Sequence, residues 1–277
     1  MSDFIKKHAL LLIVVFAITS CEDVVEVDVP ETTPRLVIEA TFNRYFKEDG
    51  SSDSEGIVKL SLSAPFFAEQ IPPALGAVVT INDPVNDISY EFADSENNGS
   101  YFGRFVPDFN IPYELKVVYQ GEIYESTTAM MPTGELESIL QGDKTLFGGD
   151  DKEVIITFKD SPSERNYYLI DLDVGNFLIT DDEFYDGNSF VFSYFYEDLK
   201  VGDELNIRLF GVDKRFSNFF EILQTQSGAD GGGGGGPFAT PSGIVRGNVI
   251  NTTNVDNYPF GYFRISEGDK ILATITR

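Results

Sequence analysis

The chain has 277 residues, 42% of them hydrophobic, and a formal net charge of −25 at pH 7. A chain of this length can bury one large core or two ordinary ones. The strong negative charge repels nucleic acid and anionic lipid surfaces, so neither is expected to bind the protein.

The first twenty residues have the organisation of an export signal. Lys6 and Lys7 form a short basic region, and residues 9–18 are an unbroken apolar run. This run is about half the roughly twenty residues that a membrane-spanning helix needs. Residues 18–21 read Ile-Thr-Ser-Cys, which resembles the cleavage site of lipoprotein signal peptidase. We therefore expect cleavage before Cys21, which makes residues 1–20 a lipoprotein signal peptide.

Cys21 is the predicted lipid attachment site, because only a thiol in the first mature position can form the thioether to diacylglycerol. It is the single cysteine of the chain. Each buried methylene of an acyl chain contributes about 0.8 kcal/mol, so an anchor with several chains is expected to be stable. Residues 21–34 are acidic and contain two prolines, which predicts a tether between this anchor and the globular part.

Cleavage also removes the only histidine, His8. With Asp3, Lys6 and Lys7 gone, the mature chain keeps 44 acidic and 18 basic residues, a net charge of −26. Without imidazole there is no Ser-His-Asp or Cys-His nucleophile and no His-ligated zinc site. An acylated Cys21 leaves no free thiol for a disulfide or an iron-sulfur cluster. We expect no enzyme activity and no cofactor; hydrolysis by two carboxylates stays open, although no pair of acids is singled out.

From Arg35 onward, short strands alternate with turn residues, a pattern that predicts an all-β fold. In residues 35–132 the predicted strands are 36–40, 57–62, 77–81, 88–92, 113–118 and 123–128. Residues 97–101 and the pair Gln120-Gly121 are predicted turns, because Asn-Gly and Gly tolerate positive φ. About seven strands in roughly one hundred residues are typical of an immunoglobulin-like β-sandwich.

Residues 130–134 interrupt the pattern and mark a predicted boundary, so 133–277 is predicted as a second β-rich domain, sandwich or barrel-like. Its predicted strands are 154–158, 167–174, 190–196, 204–210 and 271–276. Phe216, Phe219, Phe220 and Leu223 recur at helical spacing, which predicts one short helix covering an end of the second core. The glycine run 231–236 is predicted as a flexible loop, since no Gly-Lys-Ser/Thr follows it as in phosphate-binding loops.

Acidic clusters at 149–151 and 181–188 raise a calcium hypothesis, because hard oxygen ligands crowd short loops. Neither has the EF-hand spacing. Residues 94–99 begin like such a loop, but Phe105 stands where the bidentate glutamate should be. Solvated acidic loops are the interpretation we favour, and a calcium site is the alternative.

The aromatic stretch 190–196 allows two interpretations. Phe190, Phe192, Tyr194 and Tyr196 lie on one face of a predicted strand. They form either a stacking platform for a sugar or peptide or part of the core. Core packing is favoured, because the chain has no tryptophan.

Fragments along the mature chain carry a resemblance to a known family. They are Cys21-Glu22-Asp23 with Val25, Val27 and Val29 before Pro30, the stretches 36–40 and 76–81, Gly99-Ser100-Tyr101, 124–132, Asn166-Tyr167-Tyr168, 237–241 and Gly261-Tyr262-Phe263. Together they resemble the domain-of-unknown-function family numbered 4249, lipoproteins of Bacteroidota. The first domain is also similar to carboxypeptidase-regulatory and transthyretin-like sandwiches, in which an Ala-x-Val-x-Ile strand leads to an Asn-Gly-x-Tyr turn.

The family resemblance implies an outer-membrane lipoprotein commonly encoded beside TonB-dependent receptors, with no established activity and no catalytic residues to transfer. The first functional hypothesis is therefore a non-enzymatic accessory or binding subunit of a TonB-dependent receptor system, anchored through Cys21. The alternative is a stand-alone surface module that binds carbohydrate or peptide. Whether the protein faces the periplasm or the cell surface stays open, because Glu22 and Asp23 are compatible with a surface-export signal but are too few to decide.

Overall fold

The structure, a computed structural model, describes residues 33–65, 68–146, 149–162, 164–227 and 245–276. Residues 1–20, Cys21, most of the tether 21–34 and the glycine run 231–236 lie outside these ranges, so the predictions for them stay predictions. Pro34–Arg277 forms one compact unit.

Within those ranges the chain forms sixteen strands and one helix, and no closed barrel. In chain order they are β1 (Leu36–Phe46), β2 (Ser52–Leu62), β3 (Val78–Asp83), β4 (Ile88–Phe92), β5 (Ser100–Tyr101), β6 (Tyr113–Tyr119), β7 (Glu122–Thr128), β8 (Met130–Met131), β9 (Glu135–Gln141), β10 (Lys152–Lys159), β11 (Tyr167–Asp171), β12 (Phe177–Asp181), β13 (Ser189–Tyr196), β14 (Glu204–Val212), α1 (Lys214–Ser227), β15 (Ile250–Asn251) and β16 (Phe260–Thr274). The prediction of an all-β, sandwich-type fold is confirmed.

An eight-stranded sheet joins the two halves of the chain. Its order is β12-β11-β14-β16-β1-β2-β5, and β8 also pairs with β16. The 15-residue strand β16 runs parallel to β1 with its first part and antiparallel to β14 with its last part. Strands from both sides of the predicted boundary at 132/133 therefore share one sheet. The structure differs here from two self-contained domains, because the C-terminal strand returns to the N-terminal one.

Two smaller sheets pack on this large sheet and enclose separate cores. The five-stranded sheet β15-β7-β6-β3-β4 covers the β16, β1 and β2 part, and Phe42 packs there edge-to-face against Phe92, Phe105 and Phe263. The three-stranded sheet β13-β10-β9 covers the β11 and β14 part, around Phe158. The molecule is thus two sandwiches that use one common sheet.

Local turns form where their residues predict them. Gln120 and Gly121 take φ of 49° and 81° between the paired residues Tyr119 and Glu122, which makes a tight β6–β7 hairpin. Asn97 and Gly99 also have positive φ. The strand that follows them, β5, pairs with β2 instead of forming a hairpin with β4, apart from one bridge beyond the end of β4.

Helix α1 contains the predicted aromatic stripe but covers a different surface from the one expected. Asp213 caps its start, since its Oδ1 accepts a hydrogen bond from the Phe216 amide at 2.7 Å. Phe216 and Phe219 pack against Tyr262 on the outer face of the eight-stranded sheet, in a third cluster that also contains Tyr45. The prediction that the helix covers an end of the second core was wrong, because β16 brings Tyr262 beneath it. The described part of the chain holds no helix that could span a bilayer.

The shared sheet predicts that both halves unfold together. Phe42→Ala and Phe158→Ala each open a cavity in one core and are expected to lower the free energy of unfolding by about 3 to 5 kcal/mol. In either variant, hydrogen exchange followed by mass spectrometry should show protection falling in β6 and β10 alike. Phe184→Ala, at a ring that is 92% exposed, serves as the control and should change little. Loss confined to the mutated half would show two independent domains.

Candidate functional site

A cleft of about 750 Å³ lies between helix α1 and the outer face of the eight-stranded sheet. We call it the α1 cleft. Its lining residues are Val37, Glu39, Thr41, Asn43, Leu169, Asp171, Phe177, Arg208, Phe210, Phe216, Phe219, Phe220, Leu223, Gln226, Val245, Phe260, Gly261, Tyr262 and Arg264. Sites for small molecules usually measure roughly 300 to 1,000 Å³, so the cleft has the size of a ligand site.

Strand alternation explains which side chains face the α1 cleft. On β1, Phe42 and the other even-numbered residues from 36 to 42 point into the first core, so Val37, Glu39, Thr41 and Asn43 point outward. On β16, Phe263 and Ile265 enter the same core, which turns Tyr262 and Arg264 toward the helix. Because Thr41 on β1 pairs with Arg264 on β16, the threonine hydroxyl lies on the same face of the sheet as the guanidinium.

Arg208 on β14 is held by carboxylates. It forms an ion pair with Asp171, and its Nη1 lies 3.7 Å from Oε1 of Glu55. Glu55 Oε1 also accepts hydrogen bonds from the Tyr45 hydroxyl at 2.6 Å and from Asn43 Nδ2 at 3.2 Å. Burial lowers the pKa of Arg208, but the charges of Asp171, Tyr45 and Glu55 and the hydrogen bond to Asp171 together outweigh that effect and leave the pKa above its ordinary value. Arg208 is therefore a neutralised part of the cleft floor.

Arg264 on β16 is a different kind of group. Only 7% of its surface is exposed, and its guanidinium carbon lies 4.9 Å from the ring centre of Phe210 and 5.5 Å from that of Phe216. Within the described ranges its one hydrogen bond runs from Nη1 to Ser266 Oγ at 2.5 Å, and no carboxylate lies within ion-pairing distance. Burial lowers the pKa of Arg264 to about 10, so it stays charged at neutral pH.

Two further polar atoms of the cleft lining lack a hydrogen-bond partner among the described residues. They are Oδ1 of Asn43, on a residue that is 6% exposed, and Nε of Arg208. Buried polar groups are normally hydrogen-bonded, so such atoms at one cavity call for an explanation. The charged guanidinium of Arg264 in a mainly apolar cleft is the feature that points to a binding site.

The predicted acidic cluster 181–188 is split by the fold. Asp182 and Asp186 lie with Asp160 so that one carboxylate oxygen of each falls within 4.8 Å of the others. Asp181 and Glu183 turn away and pair with Arg165 at 2.9 and 2.8 Å. The first three could hold a metal ion, although protein donors already use two of them.

Those donors show a structural role for the cluster. Asp160 accepts hydrogen bonds from the Tyr168 hydroxyl and from the Gly187 amide at 2.7 Å, and Asp182 accepts one from the Asn166 amide at 2.9 Å. Burial, together with the hydrogen bond to Asp160, raises the pKa of Tyr168. The carboxylates thus tie loops to the β11 strand.

The other sequence-predicted sites have structural explanations as well. Asp94 accepts hydrogen bonds from the Asn98 and Gly99 amides at 3.1 and 2.8 Å, which closes the turn that begins like an EF-hand loop. On β13, Tyr196 is buried in the second core, and Phe190 is partly buried and packs against that core. Phe192 and Tyr194 do the same. The core interpretation of these aromatics is confirmed.

Sequence patterns did not point to the α1 cleft. Its lining comes from β1, β11, β12, β14, α1, β16 and Val245, and among these residues only the apolar stripe of the helix had been singled out. One local signal was present: Arg264 stands between Phe263 and Ile265 in an apolar stretch. A charge in a stretch of that kind is rarely buried without a partner.

Fold and cleft together define the class: an all-β sandwich protein with a ligand-sized cleft beneath its one described helix. The chain belongs to the family described as "Domain of unknown function (DUF4249)", which matches residues 22–271. No curated protein matches the chain.

One solved structure similar to the chain is a DUF4785 family protein from Legionella pneumophila subsp. pneumophila str. Philadelphia 1. The two are 10% identical, and the match covers 63% of this chain and 52% of the other, with a TM-score of 0.24. The chain spans about half the length of that protein. A likeness at this TM-score carries no argument about fold or function.

Proposed function

We propose that the protein is a non-enzymatic binding subunit of an outer-membrane transport system, anchored by lipid on Cys21. The single observation that supports it best is the α1 cleft, whose mainly apolar lining contains the buried guanidinium of Arg264, which no carboxylate of the described residues pairs with. Cavities with these features bind molecules, whereas catalysis needs groups placed to transfer protons or attack a substrate.

A TonB-dependent receptor is the proposed partner. A lipid anchor followed by the tether 21–34 would hold the cleft close to the membrane that contains such receptors. The chain would then have two separate functional parts: the N-terminus attaches it to the membrane, and the α1 cleft binds the transported molecule. Stand-alone binding through the aromatics of β13 has lost its support, because these rings pack into the second core.

Capture from native membranes tests this function. The full chain with a C-terminal affinity tag is produced in the cells that naturally make it, and the membranes are solubilised in mild detergent. We expect a TonB-dependent receptor to be recovered in near-stoichiometric amount. Recovery of the tagged chain alone would contradict the proposed partner.

Cys21→Ala is the matched control for the anchor. Labelling with an alkyne analogue of palmitate should mark the unaltered chain and leave this variant unlabelled. The variant should also move from the membrane to the soluble fraction and lose most of the receptor. Labelling that persists in Cys21→Ala would overturn the lipid assignment.

A further inference from the structure

We infer that the α1 cleft binds an amphipathic monocarboxylate, a molecule with an apolar body and one carboxylate that pairs with Arg264. The inference rests on the proposed binding function of this cleft and names the class of ligand.

The guanidinium of Arg264 carries the first step. Arg264 belongs to the cleft lining and only 7% of its surface is exposed. Within the described ranges its side chain donates one hydrogen bond, to Ser266 Oγ. No carboxylate of the described residues pairs with Arg264 directly, and Glu55 and Asp171 attract it only from farther away. A bound carboxylate can take two parallel N–H donors of arginine and so supplies the direct pairing that the described residues do not give Arg264.

The charges around the cleft limit that anion to a single charge. Asp171 and Glu55 both lie against Arg208, and Glu39 is a further carboxylate of the lining. A phosphate monoester would bring up to two negative charges close to these carboxylates. A carboxylate brings one, and its planar shape matches the guanidinium.

The rest of the lining describes the body of the ligand. Phe216, Phe219, Phe220 and Leu223 form the helix side of the cleft, and Phe177 of β12 packs against Phe220. Leu223 remains 42% exposed. Apolar surface of this kind gains about 25 cal/mol for each Å² that a ligand covers. The ligand is therefore mainly apolar, with its polar end at the sheet.

Three probes with the same ten-carbon chain test the inference: decanoate, decan-1-ol and decyl phosphate. The material is the chain from Glu22 without lipid, because Pro34–Arg277 forms a compact unit of its own. Isothermal titration calorimetry at pH 7 should show decanoate binding at least tenfold more tightly than decan-1-ol. Decyl phosphate should bind more weakly than decanoate.

Arg264→Met is the test variant, and Arg165→Met is the matched control, since Arg165 lies outside the cleft lining and pairs with Asp181 and Glu183. Arg264→Met should reduce decanoate affinity at least tenfold and leave decan-1-ol unchanged, whereas Arg165→Met should alter neither. Equal affinities for decanoate and decan-1-ol in the unaltered chain would overturn the inference even if the variant failed to fold. So would tighter binding of decyl phosphate.

Absence of binding by all three probes would also overturn the ligand class. Receptor capture does not depend on any of these probes, so that result would leave the proposed transport function standing. Failure of receptor capture together with selective decanoate binding would show the reverse, a monocarboxylate-binding protein without that partner.

Discussion

Arg264→Met is expected to stabilise the unliganded protein by about 1 to 3 kcal/mol. Burial lowers the pKa of Arg264 to about 10, and this shift from the ordinary arginine value corresponds to about 3 kcal/mol against the charged form at neutral pH. Cation–π contacts with the rings of Phe210 and Phe216 offset part of this cost. Methionine has a similar reach and no charge, and such replacements of buried charges are often stabilising.

Urea denaturation followed by far-ultraviolet circular dichroism measures this difference, since the chain has no tryptophan to report by fluorescence. Arg165→Met should stay within about 0.5 kcal/mol of the unaltered chain, because exposed ion pairs contribute little. A loss of more than about 1 kcal/mol in Arg264→Met would show that the arginine stabilises the fold.

The pH dependence provides an independent check. A base whose pKa is lower in the folded state loses its proton on folding once the pH exceeds that folded value. The cost of Arg264 is therefore fully present below pH 10 and falls as the pH rises through about 10. The stability advantage of Arg264→Met should narrow above pH 10.

Gly261→Ala is expected to lower the free energy of unfolding by about 4 kcal/mol and to abolish decanoate binding. Gly261 has a φ of 94°, and a Cβ added there would lie 2.1 Å from the carbonyl oxygen of Ile38 on the paired strand. Positive φ costs an alanine about 1 to 2 kcal/mol, and the contact forces β16 away from β1. Since both strands line the cleft, its shape would change too.

Gly202→Ala is the control for conformation alone. Gly202 has a nearly equal φ of 97°, yet a Cβ there would meet nothing within 4 Å. Gly202→Ala should lower the free energy of unfolding by only about 1 to 2 kcal/mol and should bind decanoate with unchanged affinity. Equal losses in the two variants would mean that the strands separate easily, contrary to the close β1–β16 contact.

Features that depend on neighbouring residues were predicted correctly, and features that depend on distant strands were not. Strand β4 was predicted at its observed limits, 88–92, and the hairpin at Gln120-Gly121 was located correctly. Both depend on alternation and turn residues that neighbours in sequence determine. Strands β9 and β12 and the first part of β16 were missed. Residues 266–270 of β16 are polar apart from Gly268, and they acquire strand structure from β1 on one side and β14 on the other.

The candidate site was not predictable in the same way. Arg264 and Asn43 are distant in sequence and come together only because β16 lies parallel to β1, with Asn43 paired to Ser266. The acidic cluster shows the same limit, since Asp182 and Asp186 were found as neighbours while Asp160 joined them from the end of β10. Periodicity reveals which face a residue occupies, but not which strand lies beside it.

The sequence by itself determined the all-β class, the local turns and the aromatic face of the helix, because backbone preference and side-chain alternation act over a few residues. Only the tertiary structure shows that two sandwiches share one sheet, and that the helix covers a cleft containing a guanidinium that no described carboxylate pairs with. Both depend on the return of β16 to β1 from the far end of the chain. The β1–β16 pairing is favoured because it buries apolar residues of both cores. This stabilisation depends on residues far apart in sequence, so no short segment predicts it.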